Sequence, residues 1–134
     1  MLLKIEHLGI AVDSLEESIP RYAQLLGVPC YKQERVEREG VLTAFFQVGP
    51  NKIELLEATS SDSPIAKFLE KKGKGFHHVA FETDNIDQEI QRLLDLDFQL
   101  IHLSPKEGAD NKRIAFLHPN SSEKLLVELC QEKP

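Results

Sequence analysis

The strongest constraint on what this chain can fold into is an internal duplication. Shifted by 71 residues, the segment His7-Leu8-Gly9-Ile10 lies over His78-Val79-Ala80-Phe81. The match continues through Asp13/Asp84, Ser14/Asn85, Leu15/Ile86, Ile19/Ile90, Arg21/Arg92 and Leu25/Leu96, and Ala44-Phe45 falls on Ala115-Phe116. A shift of 74 places Ile53-Glu54-Leu55 over Val127-Glu128-Leu129, so the second copy carries a small insertion in one loop. An ordered series of matches marks a tandem module, and each copy must then build the same supersecondary unit.

Each copy reads as a strand, a helix and three strands. Residues 5–12 are β-rich and show no helical period, which predicts a strand. Asp13 or Ser14 then supplies an N-cap oxygen, Glu16 and Glu17 place negative charge in the first turn, and Gly27 stops a helix that runs to about Leu26. Pro20 inside this helix should kink it or mark a tight first turn. Strands are expected at 29–37, 41–48 and 52–57, with Gly49-Pro50-Asn51 turning between the last two. The second copy predicts a strand at 76–83, a helix at 85–96, and strands near 98–104, 112–118 and 124–131. The expected organisation is one α+β domain over residues 1–134: module one at 1–59, a connector at 60–74 with a short helix between Ser63-Pro64 and Gly73, and module two at 75–134. The architecture is two tandem βαβββ modules.

Side chains alternate faces along a strand, so equivalent positions of a repeated module face equivalent ways. His7 and His78 occupy one position in the first strand of each module, and Glu54 and Glu128 occupy one position in the last. Packing of the modules about a pseudo-twofold axis would bring all four together. Each glutamate also interrupts an apolar run, Ile53-Glu54-Leu55-Leu56 and Leu125-Leu126-Val127-Glu128-Leu129. A lone carboxylate in such a run is costly to bury unless it is paired or binds a metal. His7, Glu54, His78 and Glu128 are therefore the candidate ligands of one divalent cation. The repeat register selects His78 over its neighbour His77, which alternation points away. Two imidazoles with two carboxylates suit Zn²⁺, Co²⁺, Ni²⁺ or Mn²⁺. Such a set leaves positions open for a bidentate oxygen ligand, which is a Lewis-acid arrangement rather than a closed structural one. His102 and His118 have no partner of the same type in the first copy, and His118, in a turn beside Pro119, is a candidate ligand contact.

Composition narrows the partners. A chain of 134 residues is long enough for one cored domain. The net charge of −6 argues against nucleic acid. No apolar run approaches the ~20 residues that span a bilayer, and the N-terminal segment does not read as a signal peptide. Cys30 and Cys130 lie far apart and form no CxxC, so free thiols in a cytoplasmic protein are expected. Lys67, Lys71, Lys72 and Lys74 crowd one stretch, either as a solvated helix end or as a landing place for an anionic ligand tail.

The paired modules and the His-Glu-His-Glu set resemble the glyoxalase and vicinal oxygen chelate superfamily over essentially the whole chain. Within it, the sequence is most similar to the methylmalonyl-CoA epimerases. The segments that carry this are His7-Leu8-Gly9-Ile10-Ala11-Val12, Lys52-Ile53-Glu54-Leu55-Leu56-Glu57, Asp62-Ser63-Pro64-Ile65-Ala66-Lys67-Phe68, Gly75-Phe76-His77-His78-Val79-Ala80-Phe81, Ile114-Ala115-Phe116-Leu117-His118-Pro119 and Leu126-Val127-Glu128-Leu129. The double histidine and the Phe-Leu-His-Pro turn are the more specific parts. The resemblance implies a curved mixed sheet, an acyl-CoA substrate, a homodimer, and epimerisation of methylmalonyl-CoA at its α-carbon through a metal-stabilised enolate. A glyoxalase I-type lyase and a non-enzymatic small-molecule binder are the alternatives. Proton removal and return on opposite faces require two acid–base groups. In some members of the family a glutamate on the second strand after the helix is the proposed base, and the corresponding residue here is Thr43, which cannot serve near neutral pH. Glu54 and Glu128 are then the candidate catalytic groups. Thr43, Gln47 on the same face, and His118 are candidate substrate contacts. The connector lysines and Lys106 or Lys112-Arg113 are candidates for coenzyme A phosphates.

Overall fold

The computed structural model describes residues 1–134. Eleven elements follow the chain: β1 (Leu2–Ala11), α1 (Leu15–Leu26), β2 (Lys32–Val36), β3 (Val41–Val48), β4 (Asn51–Ala58), α2 (Pro64–Lys72), β5 (Gly75–Thr83), α3 (Ile86–Asp95), β6 (Lys106–Glu107), β7 (Lys112–Phe116) and β8 (Val127–Glu132). The fold class is α+β. The chain divides into two compact units, His7–His77 and Met1–Glu6 together with His78–Pro134.

In the His7–His77 unit the strands run in the order β2-β3-β4-β1. The β1–β4 pair is parallel with Gly9 opposite Glu54, and β3–β4 is antiparallel with Phe45 opposite Glu54. Alternation sends Ala44, Phe46 and Leu55 to one face, where they form a core with Val12 and Leu15 and with Ile19, Tyr22 and Leu26 of α1. His7, Thr43, Phe45 and Glu54 take the other face. The helix starts where expected: the Ser14 hydroxyl accepts from Glu17 N–H, and Gly27 closes it at φ 73°. Glu57 adds a second cap, its Oε1 accepting from Leu15 N–H at 2.6 Å. Pro20 lies within α1, whose helix continues on both sides of it.

The other unit repeats this arrangement with β5-β8-β7-β6. Ala80 lies opposite Glu128 in the parallel β5–β8 pair, and Phe116 lies opposite Glu128 in the antiparallel β7–β8 pair. These are the repeat equivalents of Gly9, Phe45 and Glu54, so the duplicated register survives at residue level. The core of Val79, Ala115, Leu117 and Leu129 packs against Ile86, Ile90 and Leu93 of α3. Gln131, the equivalent of Glu57, accepts from Ile86 N–H at 2.9 Å through its Oε1. The inserted residues occupy the β7–β8 connection, which holds a 3-10 turn at Pro119–Ser121 and left-handed backbone at Glu123 and Lys124. A two-residue Gly49-Pro50 turn does the same job in the first copy.

The expected strand at 98–104 does not form. Leu100 makes a single bridge to Leu117, and only Lys106–Glu107 pairs with β7. The physical reason is local: the Phe116 N–H, which a neighbouring strand would claim, is bound instead by Nδ1 of His102 at 3.1 Å.

Candidate metal and substrate site

Each unit carries one buried imidazole–carboxylate pair. Nε2 of His7 lies 3.3 Å from Oε1 of Glu54, and Nε2 of His78 lies 3.3 Å from Oε1 of Glu128. All four residues are buried, between 3% and 5% exposed. The first pair is made by the parallel β1–β4 ladder, with His7 two residues before the glycine opposite Glu54. The second is made the same way by β5–β8.

These distances test the fit of a cation. A charge-assisted N–H···O bond is shorter, about 2.7–2.9 Å. Two ligand atoms each ~2.0–2.2 Å from a common cation stand roughly 2.8–3.1 Å apart at octahedral angles and roughly 3.3–3.6 Å apart at tetrahedral ones. The observed spacing matches adjacent corners of such a shell, and the buried, oxygen- and nitrogen-rich donors fit its chemistry. Each unit thus offers one imidazole nitrogen and one carboxylate oxygen of the kinds that could hold a metal ion. Both glutamates also sit within apolar strands, where an unbalanced negative charge would be costly.

The remaining candidates are placed as follows. Thr43 is buried on β3, on the Glu54 face, and its hydroxyl donates to the Glu34 carbonyl at 3.3 Å. Gln47 is exposed, and its amide donates to the carbonyls of Gly49 and Asn51, closing the β3–β4 turn. His118 is exposed, with Nδ1 accepting from Asn120 N–H at 3.1 Å. His77 packs edge-on against Phe68 of α2 with centroids 4.8 Å apart. Lys67, Lys71, Lys72 and Lys74 are exposed; Lys72 lies over the Phe68 ring and Lys74 lies 3.7 Å from Asp13. Lys106 is exposed, but Lys112 is buried and donates to Glu132 at 2.9 Å, so it is not disposed to meet a solvent-side phosphate. Arg113 bonds Asp87 at 3.3 Å.

One residue near the site was not singled out from the sequence. The ring of His102 packs on Phe116, which also packs on His78. The signal was present in the repeat: at the offset of 71, His102 lies over Tyr31, whose ring packs on Phe45.

Two copies of one strand–helix–strand module, each presenting a buried His–Glu pair from a parallel strand pair, define a duplicated protein of the vicinal oxygen chelate class. Residues 6–116 match the model of the glyoxalase/bleomycin resistance protein/dioxygenase superfamily. The chain is 44% identical over 130 residues to the uncharacterized protein YqjC of Bacillus subtilis, covering 97% of this chain and 93% of that one. It is 37% identical over 129 residues to the mitochondrial methylmalonyl-CoA epimerase of Bos taurus, covering 96% and 74%. A variant of the Streptomyces coelicolor methylmalonyl-CoA epimerase, solved in complex with 2-nitronate-propionyl-CoA, superposes with a TM-score of 0.95 at 32% identity, covering 98% and 96%. The chain belongs to the glyoxalase/bleomycin resistance protein/dioxygenase superfamily and, within it, to the methylmalonyl-CoA epimerase family.

Proposed function

We propose that this protein is an isomerase that inverts the α-carbon of methylmalonyl-CoA. The observation that carries the reading is the pair of matched His–Glu couples, each with the same 3.3 Å separation. Its support from outside the chain is the activity named for the bovine relative and the acyl-CoA analogue held by the Streptomyces relative.

His7, Glu54, His78 and Glu128 would together hold one divalent ion of the Co, Zn, Ni or Mn class. When bound, that ion supplies Lewis acidity to the thioester carbonyl and the adjacent carboxylate oxygen. The chain's own contribution is acid–base chemistry at the α-carbon. Glu54 and Glu128 stand at repeat-related positions, which suits one carboxylate for removing the α-proton and the other for returning a proton to the opposite face. The carbanion formed in between delocalises into the thioester carbonyl. Thr43, with no acid–base capacity near neutral pH, is assigned to substrate contact together with Gln47 and His118. The exposed lysines of α2 and Lys106 are the candidate partners of the coenzyme A phosphates.

The whole chain would act as one domain, as a cytoplasmic homodimer. Leu2, Leu3 and Ile5 are exposed on β1 and would be covered in a dimer; sedimentation equilibrium tests this. Two free cysteines accord with a reducing compartment. No helix is long and apolar enough to cross a membrane. The deciding experiment is incubation of the metal-loaded protein with methylmalonyl-CoA in deuterated water, with the α-position read by mass spectrometry. Deuterium should enter there at a catalytic rate, and its exclusion would reject the epimerase reading.

A further inference from the structure

The second unit holds two histidines that the metal donor set does not use, His102 and His118, and only His102 packs against the site's aromatic lining. His102 occupies the slot that Tyr31 occupies in the first copy, each ring packed on the phenylalanine of the matched strand, with centroids 5.9 and 6.0 Å apart. Only the histidine brings ring nitrogens to this slot. Nδ1 accepts the Phe116 N–H at 3.1 Å, while the His102 backbone N–H reaches back to the Phe116 carbonyl at 3.4 Å. A ring nitrogen that accepts a hydrogen bond carries no proton, so in the neutral ring the hydrogen is on Nε2. The ring is half-buried, and no buried side-chain nitrogen in the chain lacks a partner. The Nε2–H donor therefore opens onto accessible space. Phe116 in turn meets the His78 ring with centroids 5.7 Å apart and lies opposite Glu128 in the β7–β8 ladder. One aromatic ring separates His102 from the His78–Glu128 pair.

We propose that His102 is a substrate-positioning residue that donates a hydrogen bond from Nε2 to the carboxylate of the malonyl-type thioester. The inference rests on the epimerase reading above. The same tautomer excludes His102 as the base, because Nε2 already carries a hydrogen and Nδ1 is occupied by the Phe116 N–H. Partial burial, then the charge of Lys106, holds the ring's pKa below its ordinary value, which favours the neutral donor form. Such a donor would discriminate thioesters that carry an α-carboxylate from those that lack one.

The test titrates the Co²⁺-loaded protein calorimetrically with malonyl-CoA and with propionyl-CoA, which lacks the carboxylate. In His102→Asn, the side-chain oxygen can still accept the Phe116 N–H while nothing replaces Nε2. In His102→Gln, the longer amide restores a donor near the Nε2 position. The expected result is that His102→Asn weakens malonyl-CoA by about tenfold or more, as loss of a hydrogen bond to a charged group implies. Propionyl-CoA should be unaffected and His102→Gln should recover most of the loss. Unchanged malonyl-CoA affinity in His102→Asn overturns the proposal, and so does equal weakening of both ligands, which marks a structural role. If His102→Asn shows no cooperative melting transition, His102→Phe, which keeps a ring on Phe116, takes its place with the same expected and overturning results. Wild-type protein that binds neither thioester but loads metal overturns the epimerase reading itself.

Discussion

Nε2 of His78 stands 3.3 Å from Oε1 of Glu128, and the equivalent atoms of His7 and Glu54 repeat that distance. A separation too long for a strong charge-assisted bond and suited to adjacent ligand atoms makes metal content the first quantity to measure. Purified protein should carry close to one divalent ion per chain by elemental analysis. Glu128→Ala should lose most of it and lower kcat by ~10²–10⁴-fold, because a ligand and an acid–base group go together. Full metal content in that variant removes Glu128 from the ligand set.

Thr43 is buried beside the site face with its hydroxyl turned to the Glu34 carbonyl. Thr43→Ala should keep its rate within about threefold of wild type, against the ~10²–10⁴-fold loss that removal of a general base produces. A loss of the larger size in steady-state kinetics would show that the proton path runs through the Thr43 hydroxyl.

The two helices of the repeat are capped twice over, by a side chain before each helix and by Glu57 or Gln131 from the last strand of the module. Glu57→Ala and Gln131→Ala should each lower the unfolding free energy by about 1–2 kcal/mol in urea titrations, the usual cost of a lost helix-cap bond. The effect of Glu57→Ala should be the larger, since a carboxylate also meets the positive end of the helix dipole. Equal stabilities of wild type and both variants would mean that solvent replaces these caps at no cost.

Cys130 is fully buried, and burial together with the neighbouring Glu128 and Glu6 pushes its thiol far above the ordinary range. Cys30 is only partly buried. A thiol reagent at about pH 8 should therefore modify no more than one cysteine in the native protein and two in denaturant, since the thiolate is the reactive form. Rapid native modification of both would show that the β7–β8 region opens readily.

The His102 ring has its pKa held below the ordinary 6.5, first by burial and then by Lys106. The unfolded chain therefore binds more protons than the native one between the native value and 6.5, and stability rises with pH across that window. The contribution is complete above 6.5 and is lost as pH falls through the native value. Acidification from about pH 7 to about pH 5 should lower the urea midpoint more in wild type than in His102→Asn. Parallel pH profiles of the two would show that His102 titrates alike in both states.

The repeat makes much of this fold legible in the sequence alone. Matched positions predicted the strand–helix–strand order, an N-cap at Asp13 or Ser14, the helix stop at Gly27, the connector helix and that His77 and His78 face opposite ways, with His78 beside Glu128, because a duplicated pattern with period-two alternation leaves little freedom in register. The failures have one cause. The sequence around residues 98–104 has strand-like composition, but whether it pairs depends on who claims the Phe116 N–H, and that is settled by the His102 ring folding back on β7. Lys112 reads as a surface cation until the β7–β8 ladder buries it against Glu132. Nothing in the sequence marked Glu57 and Gln131 as caps, because the helix N-termini they meet lie 42 and 45 residues away along the chain. By itself the sequence determined the repeating local structure and the matched placement of the two His–Glu pairs, since these follow from neighbours along the chain and from the repeat. Only the tertiary structure decided which polar side chains are consumed by capping and pairing and which, like Nε2 of His102, are left facing open space, because hydrogen-bond partners distant in sequence compete for the same groups.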